Sequence, residues 1–231
     1  MDGVRYYTEA NDGNGTLHSG TNGWSRRIWN VSEVTNTSIT FSLRDVGNSS
    51  LGFPGLVLAS VKYTVSPYTW STVIKATAPE LKTPVMSTQH AYWNLDAFAN
   101  PKTDLIYNHT LSLPFGNKML GIDPTAVPDG SIVDVPKGSV NDFWSKPKQL
   151  GASLSDPSWV GNCGSAFNCS GYNQQILVNR SPAQLDKPQA APVATLSSDF
   201  TGIKWDLYSN QVGTVLYSCF WMGGGYNDAK A

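Results

Sequence analysis

Apolar residues along this chain recur at every second position, not at the three-to-four spacing of a helix. In SITFSLRDV (38–46), Ile39, Phe41 and Leu43 fall on one face. In LVLASVKYTV (56–65), Val57, Ala59, Val61, Tyr63 and Val65 do the same. HTLSLPF (109–115) groups Leu111, Leu113 and Phe115, and GIKWDLYS (202–209) sets Ile203, Trp205 and Leu207 against polar partners. GTVLYSCFWM (213–222) is apolar on both faces, the pattern of a buried central strand. Turn signals separate these runs: Asp12-Gly13, Gly47-Asn48, Phe53-Pro54-Gly55, Pro128-Asp129-Gly130 and Pro136-Lys137-Gly138. No segment of ten or more residues carries helical amphipathicity. Short strands with Gly and Pro turns predict an all-β chain, a large antiparallel β-sandwich. A length of 231 residues allows one such core, so 1–231 is expected to form a single domain. The stretch SPAQLDKPQAAP (181–192) reads as a long surface loop.

Charge narrows the partners. A formal net charge of -1 gives no electrostatic case for nucleic acid or an anionic membrane surface. No apolar run reaches the roughly 20 residues of a membrane span. Charged residues make up only 14% of the chain, so Ser, Thr, Asn or attached glycans must supply solubility. N-x-S/T acceptors begin at Asn14, Asn30, Asn36, Asn48, Asn108, Asn168 and Asn179, roughly twice the chance expectation; Pro182 weakens the last. Cys163 and Cys169 share a Gly/Ser/Asn-rich loop at a spacing that allows a small disulfide ring, with Cys219 left over. A zinc site lacks both a second Cys pair and a nearby His. These features predict an oxidising, secretory route and a secreted glycoprotein, with a cytoplasmic protein the alternative. The start MDGVRYYTEANDG has neither a basic head nor an apolar stretch, so the leader is expected upstream of Met1. Eight Trp, ten Tyr and eight Phe suit either a sugar-stacking surface or an aromatic core.

The candidate chemistry gathers around histidine. His90 lies in MSTQHAYWNL, read as a strand end followed by an aromatic pair, where an imidazole can offer a proton to a ligand oxygen. His18 lies in NGTLHSGTNGW, a Gly-rich turn open to a ligand. A buried, hydrogen-bonded role is the alternative for each. His109, inside the Asn108 acceptor, is read as a surface residue.

Thr88-Gln89-His90-Ala91-Tyr92-Trp93-Asn94-Leu95 matches the run T-x-H-x-Y-[FW]-N-L throughout, and through it the chain resembles the aldose 1-epimerase (galactose mutarotase) family. Four further elements are similar to that family's patterns. Leu17-His18-Ser19-Gly20 and Gly23-Trp24-Ser25-Arg26-Arg27-Ile28-Trp29 resemble L-H-G-G and G-[FW]-x-[KR]-R-x-W. Gly52-Phe53-Pro54-Gly55 resembles G-[FY]-P-G. The run 123–132 resembles D-x-x-x-I-P-T-G-x-I, and 209–217 resembles T-x-Q-P-G-x-x-x-Y. Order and spacing are kept from about residue 2 to 222.

The resemblance implies a mutarotase-like supersandwich and interconversion of the α and β anomers of a free aldose such as glucose or galactose. It makes His90 the general acid that protonates the ring oxygen, with His18 polarising the sugar. Tyr92 lines the pocket, and Gln211 and Asn173 contact hydroxyls. Trp24 and Trp93 are added as stacking platforms, with core packing the alternative for both. Acid and base suffice, so neither metal nor organic cofactor is implied. The small-molecule aldose is the expected partner, with no nucleic acid and no membrane.

Departures from the family pattern set further expectations. The family's base is a Glu on a C-terminal strand, whereas the last Glu here is Glu80. Its upstream Arg/Asn segment has no counterpart after Met1. Asn173, in Gly171-Tyr172-Asn173-Gln174, stands where the family carries an Asp. A chain cut at both ends, and so an incomplete sandwich, is therefore expected, and a non-catalytic carbohydrate-binding relative or inactive fragment is the alternative. A glycosidase would need two flanking carboxylates, and no Asp/Glu pair here sits in such a motif. A sugar-phosphate substrate would want an Arg cluster beyond Arg26-Arg27.

Overall fold

The computed structural model describes residues 1–47, 52–163, 169–185 and 187–219. The chain divides into two compact units, Met1–Ala91 and Tyr92–Ala231.

Unit 1 is built on one antiparallel sheet in sequential order: β1 (Asn30–Val34), β2 (Ser38–Asp45), β3 (Val57–Ser66) and β4 (Thr69–Thr77). Strict alternation fixes its register. Phe41 stands opposite Val61, and Val61 opposite Ile74, so the apolar positions of successive strands share a face. Leu43, Val57 and Ala59 are buried there. Toward the hairpin end, Tyr63 stacks on Trp70 with centroids 6.0 Å apart.

Among its described residues, unit 2 holds two four-stranded sheets. One runs β11-β10-β5-β8, with β5 (Thr110–Ser112), β8 (Lys148–Gln149), β10 (Ala194–Ser197) and β11 (Lys204–Leu207). The other runs β12-β9-β6-β7, with β6 (Lys118–Ile122), β7 (Pro128–Asp134), β9 (Asn173–Leu177) and β12 (Gly213–Tyr217). Leu111, Ala194 and Leu196 from the first sheet share one core with Ile176 and Met119 from the second, the arrangement of a sandwich. Tyr172 lies in that core, edge-on to Phe143 and Trp159 at 5.3 and 4.8 Å. Its phenol donates to Leu150 O at 3.0 Å. Cys163 and Cys169 are disulfide-bonded. Among the described residues the one α-helix is α1 (Pro182–Leu185), inside the expected 181–192 loop, and no helix is long and apolar enough to cross a membrane.

Two expectations are corrected here. The run 213–222 is not a central strand as far as it is described. β12 pairs only with β9 among the described strands, and Val215 is 57% exposed; residues 220–222 lie outside the described part. An apolar residue on an edge strand needs no second layer over it, so the two-faced pattern did not report burial. Pro128-Asp129-Gly130 is not the turn either. It lies within β7, across from an irregularity between Leu120 and Ile122. The Asp123 carboxylate makes the turn by accepting from the Thr125 and Val127 N–H groups at 2.8 and 3.1 Å.

Candidate functional site

In unit 1 the His18 loop is clamped from both sides. The Asn11 side chain accepts from Leu17 N–H at 2.8 Å and donates to Leu17 O at 3.0 Å. The Glu9 carboxylate accepts from the Thr21 N–H at 2.7 Å and from its hydroxyl. Between these anchors His18, Ser19 and Gly20 take positive φ values of 51°, 63° and 86°. Gly23 closes the loop, since a Cβ there would lie 2.2 Å from His18 O. The backbone thus turns the imidazole outward, and both His18 and His90 are exposed. Their ring centroids are 5.4 Å apart with planes tilted by 56°. Residues 72 apart in sequence are therefore brought together within one unit. His90 does not end a strand: β4 stops at Thr77, and residues 82–94 are irregular. Pro84, which has no N–H to donate, falls in this stretch.

Trp24 in the same unit is held by its polar edge. Its indole N–H donates to Asp45 Oδ2 at 2.7 Å, and Arg27 pairs with Asp45 Oδ1 at 2.9 Å. Trp29 meets it edge-on at 6.0 Å. Burial alone would raise the Asp45 carboxyl, but hydrogen bonds from Trp24 and Arg27, the Arg27 charge and the Gly47 N–H together hold it below the usual carboxylate range. Half-buried and pinned in this way, Trp24 has the contacts of a packing residue.

In unit 2 the register of β9 and β12 sets Asn173 opposite Tyr217. The Tyr217 ring lies 6.1 Å from Tyr92, which is 48% exposed. Partial burial, with a smaller contribution from nearby Cys219, raises the Tyr92 phenol. Asn173 Nδ2 donates to Cys163 O at 3.4 Å, and Trp93 packs against Trp205 at 5.0 Å. Tyr92, Tyr217 and Asn173 thus gather at one end of the β9–β12 pair. Gln211 does not join them. It precedes Gly213, which stands opposite Leu177 at the far end of β9, about 13 Å along β12 from Tyr217. There it donates to Asn210 Oδ1 at 3.1 Å.

His109 is a correction. It is 1% exposed, not on the surface, and its Nε2 accepts the Leu95 N–H at 3.0 Å. Nε2 is therefore the unprotonated nitrogen, although it lies 3.8 Å from Asp96 Oδ1; Nδ1 has no hydrogen-bond partner among the described residues. Asp96 accepts from Ser198 Oγ and from Asn100 Nδ2 at 2.9 Å. These two hydrogen bonds, against burial, hold its carboxyl low. Together the four side chains anchor the end of the 88–95 motif to the sheet of β5 and β10. The signal was present in HTLSLPF, where period two places His109 on the same face as Leu111 and Leu113.

Each unit also has an open hollow. One of about 420 Å³ is lined by Ser139, Asp142, Lys148 and Asp156. Its Lys148 ammonium is committed to Ser139 O and Val140 O at 3.0 and 2.7 Å. The other, about 580 Å³, is lined by Arg26, Arg27, Arg44 and Asp45.

Comparison with known proteins matches the aldose 1-epimerase family model over residues 1–231. The chain is 34% identical over 229 residues to "Epimerase FSL3" of Gibberella zeae, covering 91% of this chain and 52% of that protein. It is 34% identical over 239 residues to a "Probable aldose 1-epimerase" of Arthroderma benhamiae, covering 95% and 52%. The galactose mutarotase of Sus scrofa is 28% identical over 224 residues, covering 97% and 58%. Among solved structures, the GalM/aldose epimerase homologue from C. elegans superposes with a TM-score of 0.74 at 26% identity, over 94% of this chain and 59% of that one. The chain thus spans about half the length of the curated relatives it matches.

Proposed function

We propose a function from one premise: the chain belongs to the aldose 1-epimerase family. The whole protein interconverts the α and β anomers of a free aldose such as glucose or galactose. The observation that carries this reading is the pairing of two exposed imidazoles at 5.4 Å, His18 on its clamped loop and His90 on the irregular stretch 82–94. His90 gives a proton to the ring oxygen while a base takes the proton of the C1 hydroxyl. The C1–O5 bond opens, C1–C2 rotates, and on reclosure O5 returns its proton to His90 while the base returns the other to the C1 oxygen. His18 donates to the same region and stabilises the charge that develops there. Within unit 2, Tyr92 and Asn173 are read as hydroxyl-binding residues and Trp93 as an apolar face, whereas Gln211, at the far end of β9, and Trp24, engaged by Asp45, are given no contact with the sugar. The acid belongs to this chain. The base has no residue assigned to it in this chain, whose last Glu is Glu80.

Neutral sugars are favoured over sugar phosphates, because Arg27 is already engaged by Asp45 at 2.9 Å. Asn173, in place of the family's Asp, favours a second reading, a sugar-binding relative without catalysis. Polarimetry of α-glucose and α-galactose separates the two. An epimerase speeds mutarotation, and His90→Ala lowers that rate by about 10²–10⁴-fold. A rate equal to buffer refutes catalysis by this chain, and calorimetric binding of the sugar without rate enhancement identifies the binder. The route we infer is secretory, supported by the acceptor density and the Cys163–Cys169 bond. Recovery of the native protein only from the cytosol would refute that route.

A further inference from the structure

Strand β1 is the outer strand of the unit 1 sheet and pairs only with β2 among the described strands. All five of its residues are exposed, Val31 at 56% and Val34 at 66%. A row of unpaired backbone groups beside two exposed valines is a template for a second strand. The built-in protection is slight. There is one irregularity between Val31 and Glu33, and the Glu33 carboxylate is already paired with Lys62 at 3.1 Å.

Two N-x-S/T acceptors bracket this strand. Asn30 is its first residue and Asn36 sits in the connection just past its end. Both are exposed, and neither side-chain amide is hydrogen-bonded among the described contacts. Asn30 stands opposite Ser42, which stands opposite Ser60, which stands opposite Lys75. It therefore belongs to the polar face of the sheet, away from Phe41 and Tyr63. Asn179 differs. Its amide donates to Asn117 Oδ1 at 3.0 Å, and Pro182 follows its acceptor serine. Asn48 and Asn168 lie outside the described residues.

We infer that Asn30 and Asn36 are N-glycosylation sites whose glycans shield the β1 edge from pairing with a second copy of the chain. Transfer needs a lipid-linked oligosaccharide and the host transferase. The asparagine Nδ2 attacks C1 of the first sugar, the C1–O bond to the lipid diphosphate breaks, and the lipid diphosphate departs. The amide proton passes to a base of the transferase. This occurs on the extended chain, because the fold engages the acceptor hydroxyls. Ser32 Oγ lies 3.1 Å from Thr40 O, and Ser38 Oγ lies 2.8 Å from Thr35 Oγ1. A bulky hydrated group at each end of the strand then supplies the solubility that a chain with 14% charged residues lacks.

The inference rests on the secretory reading and not on the epimerase chemistry, so a failed mutarotation assay leaves it standing. The full chain is expressed behind an appended leader in an N-glycosylating yeast. Glycans are released by peptide N-glycosidase in heavy-oxygen water, and each acceptor peptide is examined by mass spectrometry. Labelled aspartate is expected at positions 30 and 36 and not at 179. Next, N30Q/N36Q is compared with the glycosylated chain by size exclusion with light scattering, its fold checked by far-UV circular dichroism. Enzymatically deglycosylated wild type serves as a second arm should the variant not fold. The self-associated fraction is expected to rise several-fold in both. Bare Asn30 and Asn36 would overturn the sites, and samples as monodisperse as the glycosylated chain would overturn the shielding. Because the leader is supplied, these outcomes are independent of where the native protein resides.

Discussion

Tyr172→Phe removes one oxygen from the centre of unit 2 and nothing else. The side chain is 1% exposed, and its phenol donates to Leu150 O at 3.0 Å. Leu150 is itself 5% exposed, so water cannot easily replace the lost donor. A net hydrogen bond contributes about 0.5–1.5 kcal/mol, and a buried acceptor left alone costs about 1–3 kcal/mol. The variant is therefore expected to lose about 1–2 kcal/mol at pH 7. The ring contacts with Phe143 and Trp159 remain. Burial, and secondarily Tyr107, raises the Tyr172 phenol well above its ordinary value. The folded state thus holds the proton longer than the unfolded state. Stability from this group is complete below the unfolded pKa of about 10 and is lost as pH rises above it. By pH 11 the wild type gives up as much as about 1.4 kcal/mol that the variant does not. Urea unfolding of both proteins at pH 7 and pH 11 tests this, since the other titrating groups cancel in the difference. The gap should narrow toward zero at pH 11. A gap unchanged between the two pH values would refute the argument that the phenol is sealed from solvent.

Two further outcomes concern unit 1. Gly23→Ala must push a methyl against His18 O, so the loop shifts or the fold loses about 1–3 kcal/mol. NMR should show the His18–His90 ring contact weakened while the β1–β4 sheet is retained. Asp45→Asn removes the partner of Arg27 and is expected to cost about 1 kcal/mol at pH 7. Because the Asp45 carboxyl is held low, its stabilisation is present above about pH 3.9 and lost as pH falls through the folded value. Thermal melts across that range should slope more steeply for wild type than for the variant.

Much of the fold was legible because strand burial follows a two-residue period. Ile39, Phe41 and Leu43 in β2, and Leu111 and Leu113 around β5, lie on the faces that alternation assigns them. The site was legible only as residue types. The run from Thr88 to Leu95 named His90 and Tyr92, yet spacing said nothing of the irregular backbone that carries them. His109 shows the opposite failure. The alternation already placed it on the inner face, and its overlap with an acceptor motif drew attention to the surface instead.

The class of fold, the sheet-forming runs and the family motifs could be read from residue order alone, since they depend on local chemistry and short periods. That His18 and His90 meet, that Asp45 claims Trp24 and Arg27, and that Gln211 and Asn173 stand at opposite ends of one strand pair became visible in the folded chain alone. Those relations depend on loop geometry and strand register. Both are set by contacts between residues far apart in the chain, which no local pattern encodes.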